Sequence, residues 1–269
     1  MKRTIGFIGS GKMAQSIIQG LIKSEVIFPN NIIVSAKTES TLIEMKNRFA
    51  VQTTLDNKEV SQKSDILFLA VKPNLHQFIL NEIKQYINKD TIIITIAAGI
   101  SIEMIEGFFL ESVKVVRTMP NTPSLVGEGM TAICFNQEVS KEEEAEVAEL
   151  FKGIGKVEFI EENMMNAIPA VSGSSPAYVY MFIEALADGA VLQGIPRQQA
   201  LNLAAQAVLG AAKMVMDTGL HPAVLKDQVC TPGGATIEAV ATLERNAFRA
   251  AIIDAMEECT KKSISLSKQ

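Results

Sequence analysis

Residues 230–239, which read Cys-Thr-Pro-Gly-Gly-Ala-Thr-Ile-Glu-Ala, have the composition of an anion site at the start of a helix. A proline in the first helical turn followed by two glycines leaves several backbone N–H groups bare and unobstructed. Such N–H groups attract an anion, for example a carboxylate. Thr236 adds a hydroxyl group in the first turn. We therefore predict that the N–H groups of residues 233–236 hold a small carboxylic acid.

A second group of chemically informative residues lies near the start of the chain. Residues 6–14 read Gly-Phe-Ile-Gly-Ser-Gly-Lys-Met-Ala, which is a Gly-x-Gly-x-x-Ala dinucleotide fingerprint placed between a predicted strand and a predicted helix. Gly9 permits the tight turn, Gly11 lets a pyrophosphate approach the backbone, and Ala14 allows close packing of the helix on the strand. The chain is therefore expected to bind a nucleotide cofactor.

The residues that follow the second predicted strand favour NADP over NAD. An NAD site usually carries an acid at the end of this strand, whereas residues 34–38 read Val-Ser-Ala-Lys-Thr. Ser35 and Thr38 offer hydroxyl groups and Lys37 offers a cation, which together suit the 2′-phosphate of NADP. We expect NADPH to be preferred, with NADH as the alternative.

Three further loops at the carboxyl ends of predicted strands should line the same crevice. They read Ala-Val-Lys-Pro at 70–73, Ala-Ala-Gly at 97–99 and Met-Pro-Asn-Thr-Pro at 119–123. Each loop is small or punctuated by proline, as is expected close to a bound ring. Lys72 and Asn121 are the polar groups that we expect to point inward.

The secondary structure predicted to position these residues changes near residue 161 from alternating strands and helices to helices alone. Before it, short β-branched runs alternate with amphipathic stretches, which predicts a mostly parallel, doubly wound sheet. The predicted strands are residues 4–8, 32–35, 66–70, 91–96, 113–118, 130–135 and 155–159, and the predicted helices are 11–24, 39–48 and 140–151, the last with Ser140 as its N-cap. After residue 161 we predict only helices, at roughly 161–194 with a break near 173–176, 196–218, 222–228, 236–244 and 247–266. The predicted domains are thus a cofactor-binding α/β domain, residues 1–161, and an all-α domain, residues 162–269.

The helices of the second domain are unusually apolar. Residues 177–192 carry only Glu184 and Asp188 as charged groups, and residues 200–215 carry only Lys213. A helix that is apolar around most of its circumference must be buried on most sides, and a small helical domain can rarely do so alone. We infer that a second subunit covers these helices, which makes the protein a homo-oligomer. The interspersed polar residues argue against a membrane.

Composition limits the remaining classes of protein. The net charge of −5 argues weakly against nucleic acid as a partner, and no stretch approaches the ~20 apolar residues of a membrane span. Three cysteines without paired spacing indicate a reduced, cytoplasmic protein. His76 and His221 belong to no Cys/His cluster, so we expect no metal site and take both as structural or surface groups.

Together these motifs resemble those of pyrroline-5-carboxylate reductase, and the resemblance covers the full chain. It rests on residues 6–14, 70–73, 120–123 (Pro-Asn-Thr-Pro), 172–178 (Ser-Gly-Ser-Ser-Pro-Ala-Tyr) and the segment 221–244 that contains Pro-Gly-Gly-Ala-Thr. It implies reduction of Δ1-pyrroline-5-carboxylate to L-proline, the last step of proline synthesis, with NADPH or NADH. It also implies an N-terminal Rossmann domain and a C-terminal helical domain whose helices interleave with those of a second subunit. The active site would lie between one subunit's cofactor domain and its partner's helices. Dimers and decamers of five dimers both occur in the family, and both stay open for this chain.

The motifs and the resemblance together assign the site residues. Thr236 would be catalytic, with its hydroxyl hydrogen-bonded to the ring nitrogen of the substrate. The substrate would be bound by Thr231, Gly233, Gly234, Ala235 and Thr236. The cofactor would be contacted by Ile8, Gly9, Ser10, Gly11, Lys12, Met13, Ser35, Lys37, Asn57, Ala70, Val71, Lys72, Pro73, Ala97, Ala98, Asn121 and Glu162. The chain departs from many family members at Ser175, where they have glycine, and at Cys230, where they have serine; it also lacks a glutamate that many carry near His221.

Other interpretations remain open. A catalytically silent paralogue would bind NADP(H) without turnover, and a reductase of a related cyclic imine would share the same motifs. A reductase of the β-hydroxyacid dehydrogenase type would need a catalytic lysine paired with asparagine on a long helix. Lys213 is the only lysine deep in the long helices of the second domain, and no asparagine lies near it on the same helical face.

Overall fold

The computed structural model describes residues 3–266, which fall into two compact units. The first contains residues up to Ser174 together with the segment that begins at Cys259, and the second is Ser175–Glu258. The first is an α/β unit and the second is made of helices, so the predicted fold class is confirmed. The boundary predicted between residues 161 and 162 stays a prediction.

Within residues 3–266 the first unit contains one eight-stranded sheet in the order β3-β2-β1-β4-β5-β6-β7-β8. The strands are β1 Ile5–Ile8, β2 Ile32–Ser35, β3 Gln52–Thr54, β4 Ile66–Leu69, β5 Ile92–Thr95, β6 Lys114–Met119, β7 Gly129–Phe135 and β8 Gly155–Phe159. Strands β1 to β6 are parallel, β7 is antiparallel to β6, and β8 is parallel to β7. The strand order reverses at β1 and β4, which makes the sheet doubly wound and mostly parallel, as predicted.

The helices follow the predicted pattern with three additions and one correction. The helix predicted from residue 161 to the break near 173–176 is instead a 3-10 turn at Glu162–Met164 and a π-helix at Pro169–Gly173, because Pro169 has no N–H to continue an α-helix. The first unit carries α1 Lys12–Lys23, α2 Glu39–Phe49, α3 Asn57–Lys63, α4 His76–Ile83, α5 Ile102–Glu106 and α6 Lys141–Lys152. The second unit carries α7 Ser175–Leu192, α8 Arg197–Thr218, α9 Pro222–Val229 and α10 Ala235–Arg245, and the last helix is α11 Phe248–Leu266. The segments that the sequence did not predict are the short strand β3 and the helices α3, α4 and α5.

The central strands are buried on both faces. Every residue of β4 and β5 is buried, and the two faces of the sheet pack into separate apolar clusters. Phe7 and Phe68 stack within one cluster, with ring centroids 4.5 Å apart. Helices on both faces explain why these strands read as continuous apolar runs rather than alternating ones. The sheet is therefore a rigid base for the loops at its carboxyl edge.

The second unit has almost no core of its own. Among the described residues of this unit, the buried apolar side chains are Ala187, Ala200 and Ala204, all small. Large apolar side chains on its helices are exposed, including Met181, Leu203, Leu209, Met216 and Ile253. Exposed apolar surface of this extent marks an interaction site. None of the helices in the described part of the chain is long and apolar enough to cross a membrane.

Candidate active site

Three predicted cofactor loops meet where the strand order reverses. The Ala70 N–H donates to the Ile8 carbonyl at 2.9 Å, and the Gly9 N–H donates to the Ser35 carbonyl at 3.2 Å. These bonds tie the carboxyl ends of β1, β2 and β4 to one another. A crevice at this position is where open α/β sheets bind their ligands.

The glycine loop has the local geometry of a pyrophosphate site. Gly9 has φ +99°, and a Cβ there would lie 2.6 Å from the Ala70 carbonyl oxygen, so only glycine fits. At Gly11, by contrast, a Cβ would meet no atom of residues 3–266 within 4 Å, which leaves the backbone open to a ligand. Gly11 caps α1 without a side-chain bond, and the first turn holds no acid. Bare N–H groups at Lys12 and Met13 therefore face an approachable site, which fits a dinucleotide pyrophosphate.

At the end of β2, a series of hydrogen-bonded polar side chains begins at the buried Ser35, and the exposed residues Lys37 and Thr38 follow. The Ser35 hydroxyl donates to Asn57 Oδ1 at 2.7 Å, and Asn57 Nδ2 donates to Glu82 at 2.9 Å. The structure thus brings together two predicted cofactor contacts, Ser35 and Asn57, but their polar atoms bond to each other. Lys37 is exposed, and Thr38, which caps α2 by accepting from the Thr41 N–H, is exposed beside it.

Hydroxyl groups cluster around Thr38. Thr38 Oγ1 lies 3.2 Å from Ser40 Oγ and 2.9 Å from Thr41 Oγ1. Three hydroxyls therefore cluster at the N-terminus of α2, next in sequence to the exposed Lys37. Sequence analysis identified Lys37 and Thr38 but missed Ser40 and Thr41, which the residue types at a helix start could have indicated.

The loops after β4 and β5 carry the next group of predicted contacts. Lys72 and Pro73 line a cavity of about 650 Å³, together with His76, Ile100, Met104 and Phe108 among others. His76 is only 3% exposed, and burial lowers its pKa below the ordinary value of a histidine. Its two ring nitrogens lie 3.2 Å from the Lys72 carbonyl oxygen and 3.2 Å from Thr95 Oγ1. The expectation of a structural role agrees with this burial, although sequence analysis did not link His76 to the cofactor loops.

Two predicted cofactor contacts are held by the protein's own groups. Asn121 is 7% exposed; its amide donates to the Ser172 carbonyl at 3.0 Å and its Oδ1 accepts from the Met130 N–H at 2.9 Å. The Glu162 carboxylate accepts from the Ile102 N–H at 2.7 Å and from the buried Arg117 at 3.3 Å. The contact of either residue with a cofactor stays a prediction. Arg117, a buried cation on β6, is a residue that sequence analysis missed.

The predicted substrate segment is a turn followed by a helix. The Gly234 N–H donates to the Thr231 carbonyl at 3.0 Å, and Gly233 has φ +69°, as expected when proline precedes glycine at the centre of a turn. Pro232 thus lies in the turn and not in the first helical turn, which corrects the prediction; α10 begins only at Ala235, with Gly234 as its N-cap. The Gly234 N–H is hydrogen-bonded within the turn, so the N–H groups at the start of α10 are the ones available to bind an anion.

Thr236 stands out within this segment. Its side chain is half-buried in the first turn of α10. Within residues 3–266 its hydroxyl has no hydrogen-bond partner, whereas the hydroxyl of Thr242 on the same helix donates to the Glu238 carbonyl at 3.0 Å. No side chain caps the helix start either. The hydroxyl and the N–H groups around it are therefore available to a ligand.

The remaining histidine and the three cysteines are not among the predicted binding residues. His221 caps α9 by accepting from the Ala223 N–H at 3.2 Å. The three cysteines are free, and burial raises the pKa of Cys134 to about 12. Residues 3–266 contain no group of three or more His, Cys, Asp or Glu side chains suited to a metal ion.

A doubly wound sheet with a glycine loop at its reversal point, joined to a helical unit, defines a nicotinamide-dependent oxidoreductase of the Rossmann type. Residues 162–266 match the family model for pyrroline-5-carboxylate reductase dimerisation, and residues 4–99 match that for NADP oxidoreductase, coenzyme F420-dependent. The chain is 47% identical over 268 residues to pyrroline-5-carboxylate reductase of Escherichia coli (strain K12), with 100% of each chain covered. The chain therefore belongs to the pyrroline-5-carboxylate reductase family, and the resemblance seen in the sequence is confirmed.

Solved structures support the same assignment. Pyrroline carboxylate reductase of Plasmodium falciparum with NADP bound superimposes with a TM-score of 0.90 at 32% identity, covering 99% of this chain and 98% of that one. A pyrroline-5-carboxylate reductase from Coxiella burnetii gives a TM-score of 0.91 at 33% identity, with 100% of each chain covered. The fold agreement thus extends over both units.

Proposed function

We propose that this protein reduces Δ1-pyrroline-5-carboxylate to L-proline with NAD(P)H, the last step of proline synthesis. The observation that carries the proposal is the turn at residues 231–236, which presents an unpartnered hydroxyl beside bare helix N–H groups. That combination suits a small ring bearing both a carboxylate and a polarisable nitrogen. Full-length identity of 47% to a relative of this name supports it.

The dinucleotide would be held by the carboxyl edge of the sheet. Residues 9–13 would receive the pyrophosphate, and the loops at 70–73 and 97–98 would flank the rest of the cofactor. When bound, the cofactor supplies the hydride that the imine carbon accepts. NADPH would be preferred, because Lys37 and the hydroxyls at the start of α2 suit a 2′-phosphate. An NADP-bound relative with a TM-score of 0.90 supports this preference.

The chain's own groups would bind and polarise the substrate. The N–H groups of Ala235 and Thr236 would hold the carboxylate, and the Thr236 hydroxyl would bond the ring nitrogen, which fixes the imine carbon in place. Reduction of the imine to the secondary amine needs one hydride at the carbon and one proton at the nitrogen. The proton is either already on the nitrogen when a protonated imine binds, or reaches it from water through Thr236 as the hydride is transferred.

The functional assembly would be a cytoplasmic homo-oligomer. The exposed apolar helices of the second unit, which match a dimerisation family model, support a homodimer. A decamer of five dimers is the larger alternative. The active site would lie between the cofactor domain of one subunit and the helices of its partner, as the family resemblance implies.

The test is oxidation of NADPH and NADH by purified protein with pyrroline-5-carboxylate, followed by the loss of reduced-nicotinamide absorbance and by the appearance of proline. Rapid turnover with proline as product is expected, faster with NADPH. Measurable NADPH binding without oxidation would instead favour a silent paralogue, and oxidation with another cyclic imine alone would favour a different substrate.

A further inference from the structure

His76 connects two loops that carry predicted cofactor contacts. It is the first residue of α4 and follows the loop 70–73, which leaves β4. One ring nitrogen, Nδ1, lies 3.2 Å from the Lys72 carbonyl oxygen, and the other, Nε2, lies 3.2 Å from Thr95 Oγ1 at the end of β5. Thr95 Oγ1 in turn accepts from the Ala97 N–H at 3.3 Å. A continuous chain of hydrogen bonds thus runs from one loop to the other.

The end groups and the burial of His76 together assign the directions of these hydrogen bonds. A carbonyl oxygen only accepts, so Nδ1 carries a hydrogen and donates to Lys72. An amide N–H only donates, so Thr95 Oγ1 accepts from Ala97. Burial lowers the pKa of His76 and favours the neutral imidazole, whose Nε2 then carries no hydrogen and accepts the hydrogen of the Thr95 hydroxyl. Every donor and acceptor in the network is then satisfied at once.

The network lies where the cofactor loops need a fixed spacing. Thr95 is fully buried and is the last residue of β5, two positions before Ala97. The Lys72 carbonyl belongs to the neighbouring loop and also accepts from the Leu75 N–H at 2.9 Å. Loops that are held before a ligand arrives lose less conformational freedom when it binds.

We infer that His76 is a positioning residue, which acts through Thr95 to hold the loops at 70–73 and 97–98 at the spacing that the dinucleotide requires. This inference rests on the proposed function, because it takes those loops as the cofactor site. His76 itself needs no contact with the cofactor or the substrate.

The test compares two buried threonines at opposite ends of β5: Thr95, its last residue, and Thr91, which directly precedes the strand. Thr95→Val removes the hydroxyl that bonds His76, and Thr91→Val removes the hydroxyl at the opposite end of β5, which donates to the Ser64 carbonyl at 2.8 Å. The dissociation constant of NADPH, measured by nucleotide fluorescence on the full chain without substrate, should rise about tenfold for Thr95→Val. It should stay near the wild-type value for Thr91→Val, and Thr95→Ser should restore tight binding.

The histidine is tested by variants that keep one half of its hydrogen bonding. His76→Asn retains a donor near Nδ1 but is too short to reach Thr95, whereas His76→Gln extends towards Thr95. Both should weaken NADPH binding and raise its KM while leaving kcat within about twofold. The double variant His76→Asn/Thr95→Val should raise the NADPH dissociation constant no more than the more damaging single variant does, because both substitutions break the same network.

Equal NADPH dissociation constants for Thr95→Val and Thr91→Val would overturn the inference, and that comparison stands even if the histidine variants fold poorly. Parallel assays of the wild type with pyrroline-5-carboxylate separate the two proposals. Tight NADPH binding without imine reduction would defeat the proposed function while the threonine comparison still decides the role of His76. Absence of dinucleotide binding by the wild type would defeat both.

Discussion

At the scale of single residues, Thr236 provides the most direct test of the proposed substrate site. Its hydroxyl is free to bond a ligand, whereas the hydroxyls of Thr218 and Thr242 each donate to a carbonyl four residues earlier. We predict that Thr236→Ala lowers turnover roughly ten- to hundredfold, the loss expected for one positioned hydrogen bond. Steady-state kinetics with pyrroline-5-carboxylate would measure it.

Two matched variants sharpen this prediction. Thr236→Ser keeps the hydroxyl and should retain most activity, and Thr242→Ala on the same helix should leave turnover unchanged. Near-wild-type kinetics for Thr236→Ala would remove the hydroxyl from the mechanism and leave Thr236 a purely structural residue.

Lys37 tests the choice between the two nicotinamide cofactors. It is exposed beside the hydroxyls at the start of α2, so its charge is available to a 2′-phosphate. We predict that Lys37→Asp raises the KM for NADPH by about tenfold and leaves the KM for NADH nearly unchanged, because NADH lacks the phosphate. Lys46→Asp makes the same change of charge in the last turn of α2 and should leave the ratio of the two KM values as it is. A parallel loss for both cofactors in Lys37→Asp would contradict the phosphate contact.

At the scale of elements, α6 shows how local sequence and long-range contacts share the stabilisation of one helix. Ser140 Oγ accepts from the Glu143 N–H at 3.3 Å, and the Glu143 carboxylate accepts from the Ser140 N–H at 3.0 Å, which forms the capping box. Lys114, on β6, donates to the same carboxylate at 2.7 Å. Burial raises the pKa of Glu143, but the bonds from Lys114 and Ser140 outweigh it and hold the pKa below its ordinary value. The cap predicted at Ser140 is therefore confirmed, and its partner on β6 was not visible from the sequence.

This depressed pKa makes the contribution of Glu143 dependent on pH. The folded state favours the carboxylate, so the stabilisation is complete above the ordinary glutamate pKa and is lost as the pH falls through the folded-state pKa. We predict that Glu143→Gln, which preserves the capping geometry, lowers the free energy of unfolding by about 1 kcal/mol at neutral pH and by less in acid. Urea unfolding at several pH values measures the difference in the free energy of unfolding between the wild type and the variant. Glu149→Gln, at an exposed position of the same helix, should change the free energy of unfolding little at any pH. A difference for Glu143→Gln that does not become smaller in acid would contradict the lowered pKa of Glu143.

The elements missing from the sequence prediction share a physical property. Strand β3 has three residues, none of them buried, so it lacks the apolar run that revealed the other strands. Helices α3, α4 and α5 have only seven, eight and five residues, too few for a clear helical period, and none of them begins with a proline as the equally short α9 does. Their existence depends on packing against the sheet rather than on their own propensity.

At the scale of the whole molecule, the helical unit requires a partner surface. Its buried apolar residues among those described are three alanines, while leucine, methionine and isoleucine side chains stand exposed. We predict that sedimentation equilibrium gives a dimer or a larger assembly, and that the unfolding temperature rises with protein concentration, because association stabilises only the folded chain. A monomer whose unfolding temperature is independent of concentration would contradict this prediction.

The sequence by itself determined the positions of the main strands along the chain, the glycine loop, the two types of domain and the family. Each of these depends on residues close together in the chain, because periodicity, turn chemistry and helix caps are local. Only the tertiary structure decided which distant side chains meet: Ser35 with Asn57, His76 with Thr95, Asn121 with Ser172, and Arg117 with Glu162. Such pairs form when strand pairing and crossovers bring separate loops to one edge of the sheet, and no local pattern encodes that outcome. For the same reason, the sequence placed Pro232 in a helix that begins three residues later, since the turn that displaces it is a matter of backbone geometry.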